Sequence, residues 1–153
     1  MKKALFGLGG LAALVSAATF ALGLGAAPVA AGEEVVLYKN PQCGCCENYA
    51  DYLRDNGFEV EVKPTHELSK ISTEASIPED LMGCHTAFLD DYVVSGHVPI
   101  EVVDRLLEEK PELIGVTMPG MPLGSPGMGG QKQEPFTIYG IANGEAPSVY
   151  AVK

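Results

Sequence analysis

Val35-Val36-Leu37-Tyr38, then Asn40-Pro41-Gln42-Cys43-Gly44-Cys45-Cys46, then Tyr49, Tyr52 and Leu53 ahead of Gly57, then Phe58-Glu59-Val60-Glu61-Val62-Lys63: this stretch decides the fold. Its opening run is continuously apolar and reads as a strand buried on both faces. Asn40 to Gly44 has the composition of a loop. From Cys46 to Asn56 the apolar side chains fall at helical spacing, and Gly57 supplies a stop. Phe58, Val60 and Val62 alternate with Glu59, Glu61 and Lys63, the pattern of a half-exposed strand. Residues 34–63 therefore predict a β-α-β unit with a cysteine-rich loop at its first β-to-α junction.

Downstream, Pro64 and Pro78 bound a short helix and loop over residues 66–82. Cys84 to Leu89 and Tyr92 to Val94 read as two strands turning at Asp90-Asp91. Pro99 suits the first position of a helix. Ile100, Val103, Leu106 and Leu107 give that helix an apolar stripe, and Lys110-Pro111 ends it. Residues 115–130 are dominated by Gly, Pro, Met and Ser and read as a loop. Thr137 to Ile141 and Ser148 to Val152 form a closing hairpin around Asn143-Gly144. The order β-α-β then β-β-α is a thioredoxin-like plan in the α/β class (an α+β sandwich). The C-terminal hairpin is an addition whose placement the sequence leaves open.

Upstream, Lys2 and Lys3 precede a stretch from Ala4 to Ala31 without a charged residue, rich in Leu, Ala and Gly and ending in small residues. That is the layout of a secretory signal over residues 1–31, cleaved after Ala30 or Ala31. The competing reading is a retained anchor, since the run is long enough to span a bilayer. Its Ala and Gly content makes it weakly hydrophobic for that purpose, so the mature form is expected not to span a membrane. Residues 32–153 then form a single metal-binding domain outside the cytoplasm, in the periplasm. The whole chain has 10 Lys+Arg against 20 Asp+Glu, a net charge of -10. Both lysines of the first segment are lost on cleavage and no acid is, so the mature chain is more acidic still. An acidic chain offers no electropositive footprint for nucleic acid.

The chemistry gathers at the cysteines. Cys43 and Cys46 have C-x-x-C spacing where a strand hands over to a helix, a position that favours thiolate. Thiolate serves both disulfide exchange and soft-metal binding. Cys45 is surplus to a redox pair but useful in a thiolate cradle. In this plan the loop before the third strand lies beside the C-x-x-C loop, so Cys84 is expected to approach Cys43 and Cys46. No proline adjoins Cys84, the nearest before it being Pro78, which favours metal binding over substrate-disulfide chemistry. A plain stabilising bridge from Cys43 or Cys46 to Cys84 is the bland alternative. His85 shares a site with Cys84 only if the strand has not begun between them, because alternation otherwise sends them to opposite faces. His97 precedes a helix and is a further candidate ligand; His66 reads as solvated or structural. Met118, Met121 and Met128 lie in a pliable loop that can lie over the site. Thioethers prefer Cu(I), although such residues also serve as apolar filler. Zinc accepts four cysteines too. Three cysteines within four positions suit bridging thiolates, and so a multinuclear Cu(I) cluster, better than zinc.

Four blocks carry a resemblance: Cys43-Gly44-Cys45-Cys46, Cys84-His85-Thr86-Ala87, Gly96-His97-Val98-Pro99, and Gly120-Met121-Pro122 with Gly124-Ser125-Pro126-Gly127-Met128. In that order they resemble the CopG-like, copper-linked family of secreted proteins, long catalogued as a domain of unknown function. The resemblance implies a thioredoxin-like fold, a periplasmic location, copper bound through the cysteines and a role in copper resistance, with redox cycling of the metal. It supplies no enzyme class. The residues leave two readings open. The first is a copper-binding protein with Cys43, Cys45, Cys46 and Cys84 as ligands, with His85 and His97 as outer ligands or orienting groups, and with Met118, Met121 and Met128 shielding or handing over the ion. Its partners are copper ions and other periplasmic copper-handling proteins. The second is a thiol–disulfide oxidoreductase in which Cys43 attacks and Cys46 resolves. A hybrid, in which the dithiol reduces bound copper, lies between them.

Overall fold

A computed structural model describes residues 32–153; the secretory signal expected over residues 1–31 lies outside the described residues. Strand β1 (Glu34–Lys39) runs into helix α1 (Gly44–Asp55) and returns as β2 (Glu59–Pro64), parallel to β1. The helix begins two residues earlier than its apolar spacing indicates, which puts Cys45 and Cys46 in its first turn. It ends at Asn56 and Gly57 as expected. Helix α2 (Leu68–Glu74) and a 3-10 turn (Glu79–Leu81) fill the segment between Pro64 and Cys84. Strands β3 (His85–Leu89) and β4 (Tyr92–Ser95) form the expected hairpin, with Asp90 at φ 48°. Helix α3 (Ile100–Glu109) starts one residue after Pro99, which is its N-cap. Lys110 ends it in the left-handed conformation.

The sheet order is β2-β1-β3-β4-β5-β6-β7. Its first four strands with α1 and α3 are the expected βαβ-ββα core. Two details differ from expectation. First, β1 is fully buried on one face only: Val35 and Leu37 are buried, whereas Val36 and Tyr38 are half-buried. The cause is α2, which covers the second face of the sheet incompletely. Second, the stretch read as a loop from residue 115 begins with a strand, β5 (Gly115–Thr117), parallel to β4. It makes β4-α3-β5 a second crossover unit. Pairing is close enough here that a Cβ on Gly115 would sit 1.9 Å from the Val93 carbonyl oxygen. A glycine that reads as a loop former is therefore what lets this strand pair. Through β5 the closing hairpin, β6 (Thr137–Ile141) and β7 (Ser148–Val152), joins the same sheet.

Alternation along the strands divides the apolar side chains into two sets. Val35 and Leu37 of β1, Ala87 and Leu89 of β3 and Val94 of β4 meet Tyr49, Ala50 and Leu53 of α1 and Val102, Val103, Leu106 and Leu107 of α3 in the main core. Ile77, Val93 and Ile141 form a smaller cluster on the other face. Burial of this kind is worth roughly 25 cal/mol per Å² of apolar surface, so the main core carries most of the stability. Among the described residues no helix is long and apolar enough to cross a membrane.

Candidate metal centre

The loop after β1 and the residue before β3 meet at the start of α1. Cys43 is the N-cap of α1, and Cys46 is buried in its first turn. Cys43 and Cys46 are joined in a disulfide, while Cys45 and Cys84 are free and partly exposed. The bond thus lies within the C-x-x-C pair, not across to Cys84. All four sulfurs lie within 4.8 Å of one another. Cys45 Sγ is 3.5 Å from Cys43 Sγ, and Cys46 Sγ is 3.3 Å from the Cys84 carbonyl oxygen. Cys84 is held there from both sides: the Gly83 N–H donates to Ser95 Oγ, and the Ser95 hydroxyl donates to the His85 carbonyl.

Strand β3 begins at His85, so Cys84 precedes the alternation and the condition for a shared site is met. Cys84 Sγ lies 3.6 Å from His85 Nδ1 and 2.9 Å from His97 Nε2. These three residues form a second group of potential ligands, and Cys84 belongs to both groups. His97 Nδ1 is 2.6 Å from the Pro126 carbonyl, which can only accept. Nδ1 therefore carries the proton, and Nε2 presents its lone pair to the Cys84 thiol. Its loop position gave no hint of this; the partner comes from the Met-containing loop. Tyr49, which helical spacing marks only as core, stacks on His85 at 4.5 Å between ring centroids, meets His97 edge-on at 5.4 Å and donates its hydroxyl to the Val98 carbonyl. Burial, with Tyr52 second, holds the Tyr49 phenol well above its ordinary range, so it stays a neutral donor.

The loop carrying the methionines lies against α1. Asn48 donates to the Gly127 carbonyl at 3.2 Å. A Cβ on Gly127, whose φ is +77°, would sit 2.7 Å from the Tyr49 backbone nitrogen and 3.0 Å from the Cys45 carbonyl oxygen. Met118 is 1% exposed within the main core, the place of a packing residue. Met121 is 54% exposed on the outer part of the loop, and Met128 is half-buried next to Gly127. His66 is exposed, which leaves the solvated of its two readings.

Electrostatics favour uncharged side chains until a cation arrives. Burial first, and the neighbouring Cys45 second, push the Cys84 thiol up to about 12. Desolvation therefore keeps Cys84, which lies outside the helix, a thiol in the absence of a cation. Burial, with His97 second, pushes the His85 imidazole down to about 3, and burial also lowers His97. His85 Nε2 is buried with no hydrogen-bond partner. Four sulfurs, two of them released when the disulfide is reduced, and two neutral imidazoles, one with its Nε2 unpartnered, fit a soft, thiophilic ion, whose charge would repay the deprotonation. An imidazole that binds its proton more readily unfolded destabilises the fold in acid. In the metal-free protein the His85 contribution is intact above pH 6.5. It is lost progressively between 6.5 and about 3, at up to about 1.4 kcal/mol per pH unit. Urea unfolding across that range should show the loss in the wild type and a shallower slope in His85→Gln; equal slopes would contradict a neutral buried imidazole.

A family model described as a protein of unknown function, DUF411, matches residues 81–128, which take in Cys84, His85, His97 and the methionine loop. No curated protein matches significantly. Two solved structures do. One is described as copper resistance protein CopG, form 2, at 32% identity and a TM-score of 0.74, the match covering 80% of this chain and 98% of that one. The other is form 1 of the same protein, at 32% identity and a TM-score of 0.73, covering 78% and 96%.

Proposed function

The chain belongs to the family of copper resistance protein CopG, and from that premise we propose that it is a periplasmic protein of copper resistance that binds Cu(I) through Cys43, Cys45, Cys46 and Cys84. The observation that carries this reading is the gathering of four sulfurs, from two segments about forty residues apart, within 4.8 Å. Residues 1–31 are its cleaved signal and residues 32–153 its single thioredoxin-like, metal-binding domain. Copper is cargo. Ligation by all four cysteines needs the Cys43–Cys46 disulfide opened by a thiol reductant, which gives two electrons and leaves two thiols. Each thiol that then takes a copper ion gives up its proton. Because Cys84 belongs to both ligand groups, its thiolate can bridge ions held by the other cysteines and by His85 and His97, which suits a multinuclear cluster. Met121 and Met128, on the overlying loop, hand the ion to or from another periplasmic copper-handling protein. Met118 supports that loop from the core.

One observation favours a second reading, thiol–disulfide exchange: the Cys43–Cys46 bond sits at a strand-to-helix junction with Cys43 partly exposed. A pair of measurements separates the two. Reduced protein titrated with Cu(I) against a competing chelator is expected to take up one or more ions, with proton release, and to hold zinc less tightly. The same protein is expected to show no turnover of a disulfide substrate. Turnover surviving in Cys45→Ser/Cys84→Ser, with no copper uptake by the wild type, would give the second reading precedence.

A further inference from the structure

Lys39 is the last residue of β1 and is only 2% exposed. Its register partner across the β1–β3 pair is His85, so the side chain rises from the sheet beside the candidate centre. The ammonium donates to the carbonyl oxygens of Asn40 at 3.2 Å, Pro41 at 3.4 Å and Cys43 at 3.2 Å. It also lies 3.0 Å from Glu47 Oε1, in the first turn of α1. The cysteine loop is thus wrapped around a buried cation. Burying an ammonium is costly unless it is hydrogen-bonded and paired, and here it is both. Its position is nevertheless unfavourable in one respect: it stands at the positive end of the α1 dipole. A neutral donor would staple the loop without that penalty. The charge is therefore the informative part: Glu47, half-exposed, balances it from the solvent side, and further negative charge on the loop that the ammonium holds also gains from it.

We propose that Lys39 is a positioning residue of the metal centre. It fixes the 40–44 loop through three carbonyls, and its charge stabilises the reduced, anionic state of the cysteines that the loop presents. The thiolates' role as copper ligands rests on the function proposed above. The effect of Lys39 on the Cys43–Cys46 pair does not, so it can be read without copper.

The test measures the equilibrium of that pair with glutathione in the full chain, in a Cys45→Ser/Cys84→Ser background. Protein disulfide and two glutathione thiols exchange with protein dithiol and one glutathione disulfide. Lys39→Met is expected to shift this equilibrium about tenfold toward the protein disulfide, equivalent to about 30 mV for a two-electron couple. Lys39→Arg, which keeps the charge, is expected to shift it less than threefold, and Lys63→Met on the exposed edge strand less than twofold. A folded Lys39→Met chain with the unmodified equilibrium would overturn the proposal, because a purely structural lysine changes melting temperature and not this ratio. If Lys39→Met does not fold, Glu47→Gln, at a half-exposed position, reads the same field by removing its counter-charge. The equilibrium then moves about threefold toward the dithiol; no shift, or the reverse shift, refutes the role. Copper titration of the wild type runs beside these measurements. Failure of copper uptake with the Lys39 shift intact removes the copper reading alone.

Discussion

On the proposed function, Cys84→Ala is expected to lower Cu(I) affinity as far as Cys46→Ala does, each on the order of a hundredfold or more. Altering groups that merely orient ligands typically costs 10–100-fold, so removing a ligand sulfur should cost at least that much. Equality of the two is the sharp part. Cys46 lies in the three-cysteine motif, whereas Cys84 comes from the far side of α2, and only the shared pocket makes them equivalent. Because Cys84 also touches His97 Nε2, its loss removes a sulfur from both ligand groups at once. Competition with a Cu(I) chelator under reducing conditions measures both variants. A Cys84→Ala protein that binds copper as the wild type does would mean that residue 84 stands outside the centre.

Gly127→Ala destabilises the protein by about 2–4 kcal/mol and loosens the centre with it. A left-handed φ costs a non-glycine residue about 1–2 kcal/mol. The added methyl also meets backbone, not a side chain that could swing away: Tyr49 N at 2.7 Å and Cys45 O at 3.0 Å. The loop must lift from α1, and the Pro126 carbonyl then leaves His97 Nδ1. That contact fixes the tautomer presenting Nε2 to Cys84, so copper affinity falls along with stability. Gly129→Ala is the control, since a Cβ there meets nothing within 4 Å. Denaturant unfolding and chelator competition report the two effects. A Gly127→Ala protein within about 0.5 kcal/mol of the wild type would show that the loop does not rest on the helix in solution.

The β-α-β and β-β-α order was legible because each element has its own periodicity and its own punctuation. The approach of Cys84 to the first three cysteines followed from topology alone. Strand β5 was not legible: three residues give no period, and Gly115 reads as a loop former when its real part is to admit the Val93 carbonyl. The half-exposure of β1 was missed because a short apolar run looks the same whether one or both faces are covered, and only the length of α2 decides it. At the site, residue type exposed the sulfurs but not their supports. Tyr49 reads only as a core aromatic at helical spacing, and nothing in the sequence marks Ser95 or Lys39. Each acquires its part through a contact distant in sequence or through burial that composition cannot show. The methionines divided by the same logic: Met118 adjoins β5 and is drawn into the core, while Met121, a few residues on, faces solvent.

The span from Met118 to Pro135 leaves one inner strand of the sheet and returns to the strand beside it, β5 and β6 being paired side by side. The pairing of Thr117 with Tyr139 brings the two ends of the span close together at the sheet. The span is thus held at its base by the sheet and at Gly127 by α1, so an ion bound as proposed would reach the cysteines only where the Asn48 and Tyr49 contacts to Gly127 open.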